Sequence, residues 1–116
     1  MPKSQIETVI IGDGVTSIGE SAFSYCSALT SLTLGSGVTS IGTWAFSDCS
    51  ALESITIPDS VTAIGDGAFS NCSALTSLIL GSGVTSIGIY AFEGSGFSWC
   101  PIKSLTLNSE IGRAHV

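Results

Sequence analysis

A 23-residue unit repeats along this chain without a linker, and the repeat constrains the fold more than any other feature. Residues 6–28, 29–51 and 52–74 are successive copies, a fourth copy starts at residue 75, and a fifth opens at residue 102. One copy is too short to bury enough apolar surface to offset its lost conformational entropy. We therefore predict a solenoid, in which each copy forms one coil and neighbouring coils share a core.

Each copy carries the same pattern of apolar and turn-forming residues. In the second copy, Leu32 and Leu34 alternate across a polar residue, which predicts a short strand with one buried face. A Gly-Ser-Gly or Pro-Asp-Ser turn follows the strand in the later copies. Ile41, Ala45 and Cys49 are then spaced four apart, which indicates a short helical or 3-10 segment. The predicted fold class is an α/β repeat solenoid, with one short parallel β-strand per coil and helical or 3-10 turns on the convex side.

These residues resemble a known repeat family. The opening L-x-x-L-x-L is the leucine-rich repeat signature, and V-T-x-I-G-x-x-A-F-x-x-C is similar to the BspA-like (Treponema-type) subclass of 23-residue repeats. The resemblance covers Ile6 to about Asn108. It implies a surface-exposed or secreted protein of anaerobic bacteria or protist parasites, with a role in adhesion to host proteins or other cells.

The repeat boundaries also predict the domain organisation. We expect residues 1–5 to form an uncapped extension and residues 6–109 to form the solenoid, with an irregular coil at 75–101 and a partial coil at 102–109. The tail at 110–116 matches one reading frame of a common sequencing-library adapter. We therefore expect the tail to be non-native and the chain to be a fragment of a longer protein, and the codons of the tail would test this.

The charge of the chain excludes several classes of partner. Three Lys and Arg residues stand against nine Asp and Glu residues, which gives a net charge of −6. Binding to nucleic acid requires clustered cations to displace counterions from phosphates, so we exclude it. No apolar run approaches the roughly 20 residues that cross a bilayer, so we expect no membrane span. The expected partners are a protein or cell-surface ligand and the neighbouring repeats of the longer chain.

The cysteines form a column that does not suit a metal. Cys26, Cys49 and Cys72 occupy one position of successive coils, and a rise of about 4.8 Å per coil spreads their sulfur atoms along a line. Zinc requires all its ligands around one point, so we expect these thiols to be reduced and buried. Cys100 lies outside the column, in an irregular loop, and is the best candidate among the four cysteines for an exposed thiol.

The carboxylates do not form a catalytic group. They occupy different positions in different coils, and only Glu20 and Asp66 share one, two coils apart on an open surface. An open surface does not provide the enclosed pocket that an acid–base pair requires. We therefore predict no enzymatic activity, no cofactor and no metal.

Aromatic residues provide the first candidate partner-binding surfaces. Phenylalanine recurs every 23 residues and is expected to form a buried column, which comprises Phe23, Phe46, Phe69 and Phe92. Trp44 and Tyr90 share a position that is Ser or Gly in the other coils, so we expect exposed rings that could anchor a partner. Phe97 and Trp99 lie in the irregular segment 93–101 and are further candidates, unless that segment packs them against the core.

The outward side chains of the strands provide a second candidate surface. The residues concerned are mostly small and hydroxylated, and those at its central column are Thr33, Thr56, Ile79 and Thr106. Such side chains bury little apolar area, so a partner would bind weakly per coil and would need many coils. We see no second threonine column, which argues against an ice-binding surface.

Two functions fit these observations. The favoured one is a non-catalytic protein-interaction module, placed on the cell surface or secreted. The alternative is a passive spacer that carries another domain. The spacer is favoured by the near-identity of the second and fourth coils, which match at 15 of their first 18 residues.

Overall fold

A computed structural model of the protein describes residues 2–94, which form four stacked coils. Each coil contains a four-residue strand and a two-residue strand, and a 3-10 turn at Lys3–Gln5 precedes the first coil. The longer strands are β1 Thr8–Ile11, β3 Ser31–Leu34, β5 Ser54–Ile57 and β7 Ser77–Leu80. The shorter strands are β2 Ser17–Ile18, β4 Ser40–Ile41, β6 Ala63–Ile64 and β8 Ser86–Ile87.

The strands pair in parallel with the offset of one repeat, which confirms the predicted stacking. In the principal sheet (β1, β3, β5 and β7), Val9 lies opposite Leu32 and Ile55 lies opposite Leu78. In the second sheet, β2, β4, β6 and β8 form one continuous ladder. The principal sheet is divided, because β1 pairs with β3 and β5 pairs with β7 but no ladder joins β3 to β5.

The prediction of one strand per coil is therefore wrong, because each described coil has two. The second strand is only two residues long, and its single buried isoleucine gives no alternating pattern to read. It forms because the same short segment of the next coil lies beside it. Gly42, for example, donates its N–H to the carbonyl of Ile18 at 2.8 Å, and Gly65 donates to Ile41 at 2.8 Å.

The predicted helical or 3-10 segment on the convex side is also wrong, since the chain forms successive turns there. Ser21 and Tyr25 have φ angles of 56° and 63°, which a right-handed helix does not contain. The N–H groups of Ser21, Phe23 and Tyr25 donate to the next coil, at Thr43, Ala45 and Ser47. The residues that are spaced four apart in the sequence lie on one side of this turn segment, although the segment is not a helix. The fold is thus a parallel β-solenoid rather than an α/β one.

The predicted phenylalanine column is confirmed. The ring centroids of Phe23, Phe46, Phe69 and Phe92 are 5.4, 5.3 and 5.4 Å apart, with angles between ring planes of 8°, 7° and 2°. Phe46 and Phe69 are fully buried, whereas Phe23 and Phe92 are half-buried. The thiols of Cys26, Cys49 and Cys72 lie in the same core and are fully buried, as predicted.

A second threonine column does exist, contrary to the sequence interpretation. It is exposed and comprises Thr16, Thr39, Thr62 and Thr85. Each of the last three donates both its N–H and its hydroxyl to the threonine carbonyl of the preceding coil, with N···O distances of 2.7–2.9 Å. These side chains therefore stabilise the coil stack.

Candidate functional site

Trp44 and Tyr90 are exposed on the turn segments, as the sequence predicted. Their side chains are 41% and 61% accessible. Tyr25, at 66%, is a third exposed aromatic residue, which the sequence analysis missed. Its position carries Asp48 and Asn71 in the next two coils, and a position that accepts such polar residues is a signal of exposure.

The aromatic residues hold a backbone conformation that normally favours glycine. The φ angle is 60° at Trp44 and 62° at Tyr90, and the equivalent residues Ser21 and Gly67 have values of 56° and 62°. Each of these residues is third in a four-residue turn that closes with an i to i+3 hydrogen bond, such as Ala45 N–H to the Gly42 carbonyl at 3.1 Å. A positive φ at this position is the pattern of a type II turn.

The Trp44 indole lies over Gly67 of the next coil. Its six-membered ring occupies the space that a Cβ atom on residue 67 would need. Glycine at position 67 thus has two roles: it adopts the positive φ without strain, and its missing side chain leaves space for the indole. The ring of Trp44 therefore reaches from its own coil to the backbone of the neighbouring coil at Gly67.

The strand face, which consists of the outward side chains of the principal sheet, is a separate surface. Thr33 and Thr56 are exposed on it, and Ile79 is 44% accessible. Ile10, in the same column, is 74% accessible and is the most exposed large hydrophobic residue in the described part of the chain. The structure brings Thr33 and Thr56 together beside a cleft of about 350 Å³ between β3 and β5. It does not bring either threonine to the aromatic residues of the turn segments.

Three predicted binding residues and one thiol lie outside the described residues. These are Phe97, Trp99, Thr106 and Cys100. The predicted coil boundaries beyond residue 94 and the predicted tail lie there as well. These assignments stay predictions.

The buried cysteines are chemically protected. Cys26, Cys49 and Cys72 are free thiols. The Cys49 thiol donates to the Phe23 carbonyl at 3.3 Å, and the Cys72 thiol donates to the Phe46 carbonyl at 3.1 Å. Burial raises the pKa of Cys26, and a hydrogen bond with the Cys72 side chain, together with burial, raises the pKa of Cys49. Both thiols are held in the protonated form, which is a poor nucleophile.

Three aspartates accept backbone hydrogen bonds from the following coil, a role that the sequence analysis missed. The Oδ1 atom of Asp13 accepts a hydrogen bond from the Ser36 N–H at 2.9 Å. The Oδ1 atom of Asp59 accepts from the Ser82 N–H at 2.8 Å. The Oδ1 atom of Asp66 accepts from the Ile89 N–H at 2.9 Å. The signal was present in the sequence, because aspartates at turn positions commonly accept from nearby backbone N–H groups. These carboxylates stabilise the stacking of coils.

The described residues contain neither a metal-binding cluster nor a membrane-spanning helix. No group of three or more His, Cys, Asp or Glu side chains is close enough to hold an ion within residues 2–94. Over the same range no helix has the length and apolarity that crossing a bilayer would require.

Comparisons with known proteins agree on one type of repeat. A family model described as a BspA type leucine-rich repeat region matches residues 2–114 in six copies. A leucine-rich repeat protein from Bacteroides ovatus superposes with a TM-score of 0.75 at 35% identity over 78% of this chain. A leucine-rich repeat protein from T. pallidum superposes with a TM-score of 0.76 at 33% identity over 78% of this chain.

A third structure, a leucine-rich cell surface protein from Faecalibacterium prausnitzii, superposes with a TM-score of 0.54 at 29% identity over 90% of this chain. The chain spans only 23%, 42% and 36% of the lengths of these three proteins, in the order given. No curated protein matches the chain at a significant level.

Proposed function

The chain belongs to the BspA-type leucine-rich repeat family, and on that premise we propose that it is a non-catalytic protein-interaction module. The proposed role is adhesion, as part of a longer secreted or surface protein that contacts a host protein or another cell. The Faecalibacterium neighbour is described as a cell surface protein, which supports an extracellular location.

The observation that carries the proposal is the conformation of the exposed aromatic residues. A non-glycine residue at positive φ costs on the order of 1 kcal/mol or more. The chain itself uses Ser21 and Gly67 at this position, so the turn does not need an aromatic ring. Trp44 and Tyr90 are nevertheless present there and exposed. Trp and Tyr are the residues most enriched at the energetic centres of protein interfaces.

The chemistry of the remaining side chains supports a non-catalytic role. Asp13, Asp59 and Asp66 accept hydrogen bonds from backbone N–H groups of the following coil. The thiols of Cys26 and Cys49 are buried and protonated. The only histidine of the chain is His115, which lies outside the described residues and within the predicted tail.

The test replaces each exposed ring with a residue that the same turn already carries elsewhere in the chain. In the double variant Trp44→Ser, Tyr90→Gly, each new residue already occurs at this turn position with a positive φ. The loss of stability is therefore confined to the contact of the indole with Gly67, and the melting temperature should fall only slightly. Binding to cultured epithelial cells and to surfaces coated with extracellular-matrix proteins should weaken by tenfold or more, as loss of about 1.4 kcal/mol requires. Ser21→Gly is the matched control, because it changes the same position without removing a ring.

A second variant separates the two candidate surfaces. Ile79→Thr introduces the residue that Thr33 and Thr56 already provide in the same column. If the turn segments bind the partner, Ile79→Thr leaves binding unchanged. If binding falls in this variant and not in the double variant, the strand face is the contact surface and the assignment to Trp44 and Tyr90 is wrong.

The alternative proposal is a passive spacer, which the near-identity of the second and fourth coils favours. Copies that serve only to stack need no variety on their surfaces. Unchanged binding in Trp44→Ala, Tyr90→Ala and Trp99→Ala, or no binding by the unaltered chain, would support the spacer against the interaction module.

A further inference from the structure

The division of the principal sheet lies in the middle of an otherwise continuous stack. The backbone carbonyl of Glu7 accepts from the N–H groups of Thr30 and Ser31 at 2.9 and 3.2 Å. The backbone carbonyl of Glu53 accepts from those of Thr76 and Ser77 at 3.0 and 3.3 Å. Within the described residues, no such bonds join Thr30 to the third coil, and β3 and β5 share no ladder. We call this boundary between the second and third coils the seam.

The first cause of the seam is Pro58, which follows β5. In the second coil the equivalent residue is Gly35, and a Cβ atom there would lie 2.6 Å from the Ile11 carbonyl oxygen. Gly81, in the fourth coil, packs equally closely, with its Cβ position 2.6 Å from Asp59 N. Pro58 carries side-chain atoms in this crowded place and has no N–H to donate to a ladder. The third coil therefore cannot approach the second as closely as the second approaches the first.

The second cause is Ser60, two residues later in the same turn. The equivalent residues Gly37 and Gly83 lie so close to the preceding coil that a Cβ atom would overlap the carbonyl oxygens of Asp13 and Asp59. Ser60 has a Cβ atom, and its hydroxyl oxygen is buried without a hydrogen-bond partner among the described residues. Both features indicate an imperfect fit of the third coil against the second.

The third cause is a missing carboxylate. Asp13 connects the first turn to the second through Ser36 N–H, and Asp59 connects the third turn to the fourth through Ser82 N–H. The second coil has Ser36 at this position, so it offers no carboxylate to the N–H of Asp59. The aspartate hydrogen bonds of this turn thus join the first coil to the second and the third coil to the fourth. The strands of the principal sheet pair in the same way.

The other connections across the seam are intact. β4 pairs with β6, and Thr62 donates to the Thr39 carbonyl at 2.8 Å. The rings of Phe46 and Phe69 lie 5.3 Å apart, as closely as the other rings of the column. The two pairs of coils are therefore joined along the second sheet and the core, and they are separated along the principal sheet.

We propose that the seam is a hinge, at which the solenoid bends by opening the principal sheet while the second sheet acts as the pivot. The cleft of about 350 Å³ lies at the opening edge. Leu32 and Leu34 of β3 are only half-buried there, although a coil lies on either side of them, whereas Leu78 and Leu80 of β7 are buried. Bending at the seam changes the curvature of the strand face at one defined position.

Amide hydrogen exchange, measured residue by residue by NMR, tests the hinge. Alternate N–H groups of a parallel strand point towards the same neighbouring strand. The N–H groups of Ser77 and Ile79 point towards β5, and the equivalent N–H groups of Ser54 and Thr56 point towards the seam. After correction for intrinsic rates, we expect the Ser54 and Thr56 amides to exchange faster than their counterparts in β7, on the order of tenfold or more. Equal protection of the two pairs would overturn the hinge.

Two reciprocal variants test its cause. Pro58→Gly with Ser60→Gly gives the third coil the turn that fits closely elsewhere, and it should slow exchange at Ser54 and Thr56 to the rates seen in β7. Gly81→Pro with Gly83→Ser should create a second defect, at the boundary between the third and fourth coils, and should speed exchange at Ser77 and Ile79. If the first variant folds and protection in β5 does not rise, the side chains at positions 58 and 60 do not create the hinge.

Discussion

At the residue scale, the phenylalanine column is a packing element that all four described coils share. Phe46 and Phe69 are fully buried, and each ring lies against a ring of the coil before and of the coil after. A buried ring in this column thus contributes to two boundaries between coils. Removal of one ring leaves a cavity that both neighbours line.

Phe46→Ala should therefore reduce the free energy of unfolding by about 3–5 kcal/mol, the usual cost of removing a buried aromatic ring. Urea denaturation followed by circular dichroism measures the change. Tyr25→Ala removes an exposed ring and should change stability by less than about 0.5 kcal/mol. Similar effects of the two substitutions would show that the column does not hold the coils together.

At the element scale, the turn after each longer strand determines how closely two coils approach. Gly35 and Gly37 of the second turn have negative φ angles, so the backbone conformation does not require glycine there. They are glycines because the carbonyl groups of the preceding coil occupy the space of a side chain. The third turn, with Pro58 and Ser60, lacks this close fit, and the principal sheet is divided at that place.

Gly37→Ala should destabilise the chain by about 1–3 kcal/mol, because the added methyl group overlaps the Asp13 carbonyl and forces the first two coils apart. Gly14 is the matched control, since no atom lies within 4 Å of its Cβ position. Gly14→Ala should leave stability unchanged or raise it by about 0.4–1 kcal/mol. Thermal melts of the two variants make the comparison, and equal melting temperatures would contradict the packing argument.

At the scale of the whole molecule, the buried thiols of Cys26 and Cys49 couple unfolding to pH. Cys26 and Cys49 have raised pKa values in the folded chain, whereas an exposed thiol in the unfolded chain ionises near 9.0. The unfolded state therefore releases protons at a lower pH than the folded state does. The stability that these thiols contribute is complete below about pH 9 and is lost as the pH rises above it.

We expect the free energy of unfolding to fall as the pH rises above about 9, by up to about 1.4 kcal/mol per pH unit for each thiol. Urea titrations under reducing conditions measure the slope. Cys49→Ala should lower stability at pH 8 because it leaves a cavity, but it should make the dependence on pH shallower. An unchanged slope in that variant would show that Cys49 is not a source of the pH dependence.

The sequence by itself determined the coil length, the register of the strands, the phenylalanine and cysteine columns, and the exposure of Trp44 and Tyr90. It could do so because side chains that repeat at a fixed spacing occupy equivalent places once coils stack, so the apolar positions identify the interior. The candidate surfaces were therefore predictable as positions, although Tyr25 and the aspartate bonds were overlooked.

Only the tertiary structure decided the conformation of the turn segments and the position of the seam. The N–H groups of the turns find their acceptors in the adjacent coil, 22 residues further along from Ser21 to Thr43, and no local spacing reveals such a partner. For the same reason, Pro58 and Gly35 look interchangeable as turn residues in the sequence. Their difference arises from the distance between stacked backbones, which exists only when the coils are in contact.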